Sequence, residues 1–144
     1  MPYSTNAFLE ALATNAAANV PQITFRGDDS AYLDSEIGVY FDRQAQTSGG
    51  QVVLTEYPVS DDPSLSFGTV GVQFYIDSDG DTGRDIKDAL FDHFHGTMGL
   101  VLGGVRVIQA YRRSGAHLGQ SGEGRVSRTE NYYFQTHRPS KNRT

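Results

Sequence analysis

The spacing of apolar residues predicts two helices. In each, an apolar side chain recurs every four residues, which places these side chains on one stripe of the helix. Ser4 is a suitable N-cap for the first helix, which we expect to end near residue 18, shortly before a proline. The second is expected from about Arg84 to His95, with Gly96 in place for a left-handed C-terminal residue. The two stripes are Phe8, Leu12 and Ala16, and Ile86, Leu90 and Phe94.

A strict period of two predicts the clearest strand, within the segment SFGTVGVQFYID (residues 66–77). Its apolar side chains share one face, so that face should lie on the core, and they are Val70, Val72, Phe74 and Ile76. Further strands are expected at 37–41, 51–58, 102–113 and 125–138, with a Pro-containing turn at 61–64. The remainder of residues 22–50 carries no readable pattern.

The order of these elements predicts the fold class. A strand, an acidic turn, a helix and a further strand in succession are typical of an α+β protein. At 144 residues we expect a single domain, 1–144, with a small mixed or antiparallel sheet flanked by two helices. The last two strands should form a long C-terminal β-hairpin whose tip, Ser114–Gly124, is Gly-rich and flexible, followed by a polar basic tail.

Composition excludes several function classes. The chain has no cysteine, so disulfides and Cys-based metal sites are impossible. It lacks a signal-peptide pattern and any run approaching 18 apolar residues, so no membrane association is predicted. Phosphate-binding glycine loops, nucleophile elbows and zinc-protease motifs are also missing from the sequence. We therefore expect neither an enzyme nor a cofactor.

The charge changes sign near residue 105. Residues 1–104 hold fifteen Asp and Glu against four Lys and Arg, whereas residues 105–144 hold eight Lys and Arg against two acids, within a net charge of −5. A distribution this uneven more often reflects how a protein meets its partners than how it folds. We expect the basic region 105–144 to act as an arm that contacts something acidic.

Arginine and aromatic side chains interleave within this arm. Arg and Tyr are typical hot spots of protein interfaces, and the same composition occurs on nucleic-acid-binding surfaces. Because the acidic remainder of the chain would repel DNA, a protein partner is favoured, and a nucleic-acid-binding protein stays an alternative. The predicted interface residues are Arg106, Arg112, Arg113, Arg125, Arg128, Tyr132, Tyr133 and Arg138.

An acidic segment from Asp77 to Asp88 matches the carboxylate spacing of an EF-hand calcium loop at several positions. The match is incomplete, because the sixth position is Thr82 rather than glycine and the last is Asp rather than Glu. A strand-to-helix turn collects Asp, Gly and Thr for capping reasons alone, which is the favoured interpretation. A Ca²⁺-dependent binding module is the alternative, with Asp77, Asp79, Asp81 and Asp88 as candidate ligands.

Four segments resemble a known family when taken in order: TEYPVSDDPSLS (55–66), VGVQFYIDSD (70–79), RDIKDALFDHFHG (84–96) and LGGVRVIQAYRRSGAHLGQSGEGRVSRTENYYFQTHRPSKNRT (102–144). They are similar to minor capsid proteins of the tail-terminator type from long-tailed bacteriophages, chiefly those of actinobacteria. The most specific elements are LGGVRV, RRSG, LGQ, GR, RTENY and HRPS. The resemblance covers the C-terminal two thirds and is weak in residues 1–50.

The resemblance implies a structural role in the virion. Proteins of this family are small α+β subunits that form a hexameric ring, cap the tail tube and provide the docking surface for the DNA-filled head. It implies a homo-oligomer at the head-tail joint, assembled in the host cytoplasm, with the tail tube protein and a head-completion or connector protein as partners. DNA would pass through the lumen without specific binding, and the family offers no catalytic residues to carry over.

Overall fold

A computed structural model describes residues 3–45, 47, 49–62, 66–122 and 124–138 of the chain. Within them the chain forms two helices and one mixed sheet of seven strands in the order β1-β2-β3-β4-β7-β6-β5. The elements are α1 (Thr5–Asn19), β1 (Ile23–Thr24), β2 (Ile37–Phe41), β3 (Gln51–Asp62), β4 (Phe67–Ser78), α2 (Gly80–Phe94), β5 (Met98–Leu102), β6 (Val105–Gly122) and β7 (Arg125–His137). Neither helix combines the length and apolar character needed to cross a membrane.

Antiparallel pairing dominates the sheet. Strand β4 pairs with β3 on one side and with β7 on the other, where the register runs without a shift from Phe67↔His137 to Ser78↔Val126. The pairs β1–β2 and β2–β3 are parallel. The prediction of a mixed sheet with two helices is confirmed, but the sheet is larger than expected.

Both helices pack on the same face of the sheet. The ring of Phe134 on β7 contacts Phe8 of α1 at 5.7 Å between centroids and Phe94 of α2 at 5.9 Å. The predicted alternation in β4 is confirmed, because Val70, Val72, Phe74 and Ile76 are fully buried beneath the helices. The opposite face of the sheet is not covered by a helix in the described part of the chain.

The C-terminal hairpin is confirmed, but it is neither a free arm nor ended by a long loop. Strand β7 lies in the interior of the sheet, between β4 and β6. Residues Ser114–Gly122, predicted as part of a flexible tip, belong to β6 and pair with β7. Register shifts along β6 accommodate the extra residues, which is why a Gly-rich sequence remains in the sheet. The rest of the tip includes Glu123, outside the described residues.

The acidic segment after β4 is the start of α2 rather than a loop before it. Asp79 is the N-cap, and its carboxylate accepts a hydrogen bond from the Thr82 backbone N–H at 2.9 Å. The helix therefore begins at Gly80, four residues earlier than predicted from its apolar stripe. Its predicted end is close to the observed one, and Gly96 has φ +82, as expected for a left-handed residue.

Other boundaries also differ from the predictions. The segment predicted as one strand over 102–113 is divided by a turn at Gly103–Gly104, which separates β5 from β6. The turn predicted at 61–64 begins in β3, which continues to Asp62, and residues 63–65 lie outside the described residues. The tail beyond Arg138 lies outside them as well.

We expect Asp79→Ala to lower the free energy of unfolding by about 1 kcal/mol at neutral pH, the usual cost of losing an N-cap. Hydrogen bonds from the Thr82 backbone and hydroxyl lower the pKa of Asp79, so its contribution is present above the usual carboxylate pKa. The difference from the unmodified chain should then shrink as pH falls through the lowered pKa. Chemical denaturation at several pH values measures this, with Asp88→Ala as the exposed control in the same helix; equal effects of the two changes would contradict the capping role.

Candidate functional site

The predicted interface residues do not form one cluster: Arg106, Arg112 and Arg113 lie on β6, and most of the others lie on β7 in the interior of the sheet. The side of β6 that faces away from β7 is its outer edge. Strand β5 covers that edge only as far as Gln109, and Thr97 extends the contact to Ala110. The backbone N–H of Arg112 then donates to the imidazole Nδ1 of His95 at 3.0 Å. Beyond it, no described strand pairs with the outer side of residues 113–122. We call this segment the free β6 edge.

Arg112 forms an ion pair within its own subunit. Its guanidinium Nε donates to the Glu130 carboxylate at 2.8 Å, and the Glu130 side chain is only 3% exposed. The pair lies over Gly115, where a Cβ would approach both side chains to within 2.4 Å. Because glycine has no side chain, position 115 leaves room for the ion pair. Arg112 neutralises a buried carboxylate and is not a free cation at the surface.

Arg125 has a similar internal role at the end of the hairpin. Its guanidinium lies 3.6 Å from the carboxylate of Asp77 and donates to the Thr47 carbonyl at 2.7 Å. The buried Asp77 also accepts a hydrogen bond from the Ser121 hydroxyl. These contacts join the end of β4, the segment before β3 and the end of the hairpin, so the hairpin is fastened to the acidic part of the same chain.

The remaining predicted interface residues have different surroundings. Arg138 lies 3.8 Å from the centre of the Tyr3 ring, and Arg128 is half-buried beside the first turn of α2. Arg106 and Arg113 are exposed, and their side chains make no ion pair with a described residue. They are the two arginines of the set that remain fully available to a partner.

Tyr132, one of the predicted interface residues, lies in the core of the subunit. It is fully buried among Phe74 and Phe94, with ring centroids at 5.6 and 6.1 Å. Burial, and secondarily the charge of Glu130, raises the pKa of its hydroxyl well above the usual range. The side chain lies on the helix-covered face because alternate residues of β7 point to opposite sides. Its neighbour Tyr133 lies on the uncovered face.

On that uncovered face, the middle parts of β3, β4, β7 and β6 carry no charged side chain. Tyr57 donates to the Asn131 side-chain carbonyl at 3.3 Å, and Tyr111 and Tyr133 pack edge to face at 5.8 Å. Amide, hydroxyl and tyrosine side chains can contact another protein surface without needing opposite charges on it. The residues are Val53, Thr55, Tyr57, Thr69, Gln73, Tyr75, Tyr111, Thr129, Asn131, Tyr133 and Gln135.

The four carboxylates of the predicted calcium loop do not form one site. Asp77 is buried and paired with Arg125, and Asp79 caps α2. Asp81 pairs with Arg84, and Asp88 lies farther along the helix, 3.6 Å from Lys87. Among the described residues no group of three or more His, Asp or Glu side chains is placed to hold a metal ion.

A cleft on the opposite edge of the sheet was not predicted from the sequence. It has a volume of about 620 Å³ and lies between the 25–36 segment, β2 and the start of α1. Four aromatic rings line it together with carboxylates, and the lining includes Phe25, Tyr32, Tyr40, Phe41, Glu10, Asp29, Asp34 and Glu36. The mixture of aromatic and acidic residues between 25 and 41 was the available signal, but apart from the strand predicted at 37–41 this region carries no readable pattern.

Internal contacts fix several of the side chains that line the cleft. The Arg26 guanidinium donates to both oxygens of Glu36, at 2.7 and 2.8 Å, and these hydrogen bonds lower the pKa of Glu36. The Tyr32 hydroxyl donates to the Val39 carbonyl at 2.8 Å, and its ring packs on Tyr40 at 5.3 Å. Glu36 is thus already neutralised by Arg26, whereas Glu10 and Asp29 leave the cleft acidic.

We expect Arg112→Met to lower the free energy of unfolding by about 2–4 kcal/mol, because it leaves the Glu130 carboxylate buried without its cation. The value lies toward the lower end for buried pairs, since the Arg112 side chain is 35% exposed. Arg113→Met is the matched control and should change stability by less than about 0.5 kcal/mol. Equal denaturation midpoints for the two variants would contradict the role given to the pair.

Comparison with solved structures shows a shared fold. A chain described as part of the "virion of native gene transfer agent (GTA) particle" superposes with a TM-score of 0.62, covering 92% of this chain and 98% of that one at 14% sequence identity. A second solved chain, 18% identical and covering 94% of each, has a TM-score of 0.48, too low to carry an argument. No protein-family model and no curated protein matches the chain. At these identities the likeness establishes the fold alone.

Proposed function

We propose that this chain is a structural protein of a phage-like virion, and specifically a tail-terminator subunit. The observation that carries the proposal is the fold shared over nearly the full length of both chains with a component of a gene transfer agent virion. The four sequence segments that resemble tail terminators occur in the same order as in that family, between residues 55 and 144. They support the finer assignment. In this role the protein acts as one subunit of a ring.

The geometry supports a ring built from unlike surfaces. A heterologous ring needs two different patches on each subunit that complement one another. This chain has a free β6 edge with the exposed Arg113 on one side of the sheet and an acidic, aromatic cleft on the other. Both belong to one subunit, so identical copies can associate head to tail and close into a ring, for which we propose six subunits.

The proposed ring joins the tail tube to the head-completion or connector protein at the neck of the virion. DNA passes through its lumen as cargo. Several of the arginines that suggested a nucleic-acid surface have internal partners, since Arg112 pairs with Glu130 and Arg125 with Asp77. A pore that conducts DNA benefits from few free cations, because each phosphate contact would retard sliding.

The two alternative functions have less support. A calcium-dependent module would need the carboxylates of Asp77, Asp79 and Asp88 in one shell, and each of them has a separate structural contact. A nucleic-acid-binding protein would need a continuous row of free cations, and among the predicted set only Arg106 and Arg113 are both exposed and without an ion pair to a described residue.

We expect the purified chain to form a closed ring of six copies at high protein concentration. Native mass spectrometry and light scattering measure the number of subunits, and electron microscopy shows whether the oligomer is closed. A chain that stays monomeric at every accessible concentration would contradict the self-assembling ring.

We expect only weak binding to double-stranded DNA at low salt, because few arginines are free to contact phosphates. Fluorescence anisotropy over a salt series measures this. Tight binding that falls steeply with salt, with a slope corresponding to several phosphate contacts, would instead favour the nucleic-acid-binding alternative.

A further inference from the structure

We propose that the free β6 edge of one subunit seats in the aromatic, acidic cleft of the next copy, with the Arg113 guanidinium among the rings and facing Glu10 and Asp29. This contact rests on the proposed ring and specifies how neighbouring subunits would join. Its occupant is a second copy of this chain, because the same molecule carries both complementary surfaces on opposite edges of its sheet.

The inserting surface is defined by two exposed residues of β6. Arg113 and Leu118 each occupy a position where the pairing with β7 shifts by one residue, so each is an extra residue in the strand. Such bulges re-aim side chains relative to a regular strand. Leu118 is 55% exposed, and Arg113 is exposed without an ion pair to a described residue. The edge thus presents one cation and one apolar side chain.

The cleft offers the matching chemistry. A guanidinium is planar and weakly hydrated, stacks on aromatic rings and pairs with carboxylates, so a cleft lined by Tyr and Phe rings with acidic side chains suits arginine better than lysine. Glu36 already has Arg26 as its partner, which leaves Glu10 and Asp29 to face an incoming cation. Leu33 lies on the lining of the cleft and is 62% exposed, so it offers an apolar contact for Leu118.

The strand register places the two surfaces at the same height on the sheet. One row of paired residues crosses the sheet from Tyr40 on β2 to Ala116 on β6, through Val53, Tyr75 and Thr129. Tyr40 lines the cleft, and Ala116 lies between Arg113 and Leu118. A rotation about a single axis therefore brings the edge of one copy to the cleft of the next without a large shift along the strands.

Charge reversal tests the polar part of this contact. Arg113→Glu and Glu10→Lys should each raise the dissociation constant between subunits by about ten- to a hundredfold, and the double variant should recover most of the loss. Arg106→Glu makes the same charge change on an exposed position of β6 outside the free edge, and should leave association within about twofold. Equal effects of Arg106→Glu and Arg113→Glu, or no recovery in the double variant, would overturn the contact.

Disulfide trapping tests the geometry without ambiguity, because the chain has no cysteine of its own. A variant with both Leu33→Cys and Leu118→Cys should give, on oxidation, a ladder of linked subunits that ends at the size of the ring. Each single variant should remain unlinked. Both positions are exposed, so the folded state should tolerate the changes, and circular dichroism checks this.

The outcomes separate this contact from the ring itself. If the oligomer forms but the double-cysteine variant does not link, or if a single variant links to dimers, the subunits join through other surfaces and the contact is wrong while the ring stands. If the unmodified chain and every variant are monomeric, the ring fails and the contact fails with it.

Discussion

The fold depends on the long antiparallel pairing of β4 with β7. This pairing runs without a register shift from Phe67↔His137 to Ser78↔Val126, in the middle of the sheet. Because a slip of one residue would move the side chains of one strand to the opposite face relative to those of the other strand, the register decides which side chains the helices cover. Val72, Phe74, Tyr132 and Phe134 lie in the core for this reason, and the uncharged face on the other side follows from the same alternation.

In the folded protein, the acidic and basic regions of the chain are not two separate charged surfaces. Some of their charges pair internally, since Asp77 from the acidic region meets Arg125 from the basic one, and Arg112 neutralises Glu130 within the basic region. Arg112 and Arg113 are adjacent in sequence and chemically alike, yet the first stabilises the subunit and the second is open to a partner. A change at Arg112 that impairs assembly would therefore report on stability, whereas a change at Arg113 reports on contact.

Sequence patterns predicted the elements in which one physical signal dominates. The alternation in β4 and the capped stripe of α1 are examples, because burial on a single face imposes a clear period. Strand β1 has two residues and no period to read, and β5 leaves Met98 and Val101 exposed. The Arg112–Glu130 pair joins residues eighteen positions apart through a hairpin with several bulges, and its register cannot be deduced from composition. The cleft was missed because most of its lining belongs to residues 25–36, where the sequence carries no periodic pattern.

The attachment of the hairpin end to the rest of the subunit affects the energetics of assembly. Arg125, Ser121 and Asp77 hold this end in place before any neighbour arrives, so a partner meets a surface that is already formed. Much of the conformational entropy of a protruding loop is then lost during folding rather than during association. Joining the subunits resembles the docking of preorganised bodies, and its heat-capacity change should reflect the buried apolar surface rather than the folding of a segment.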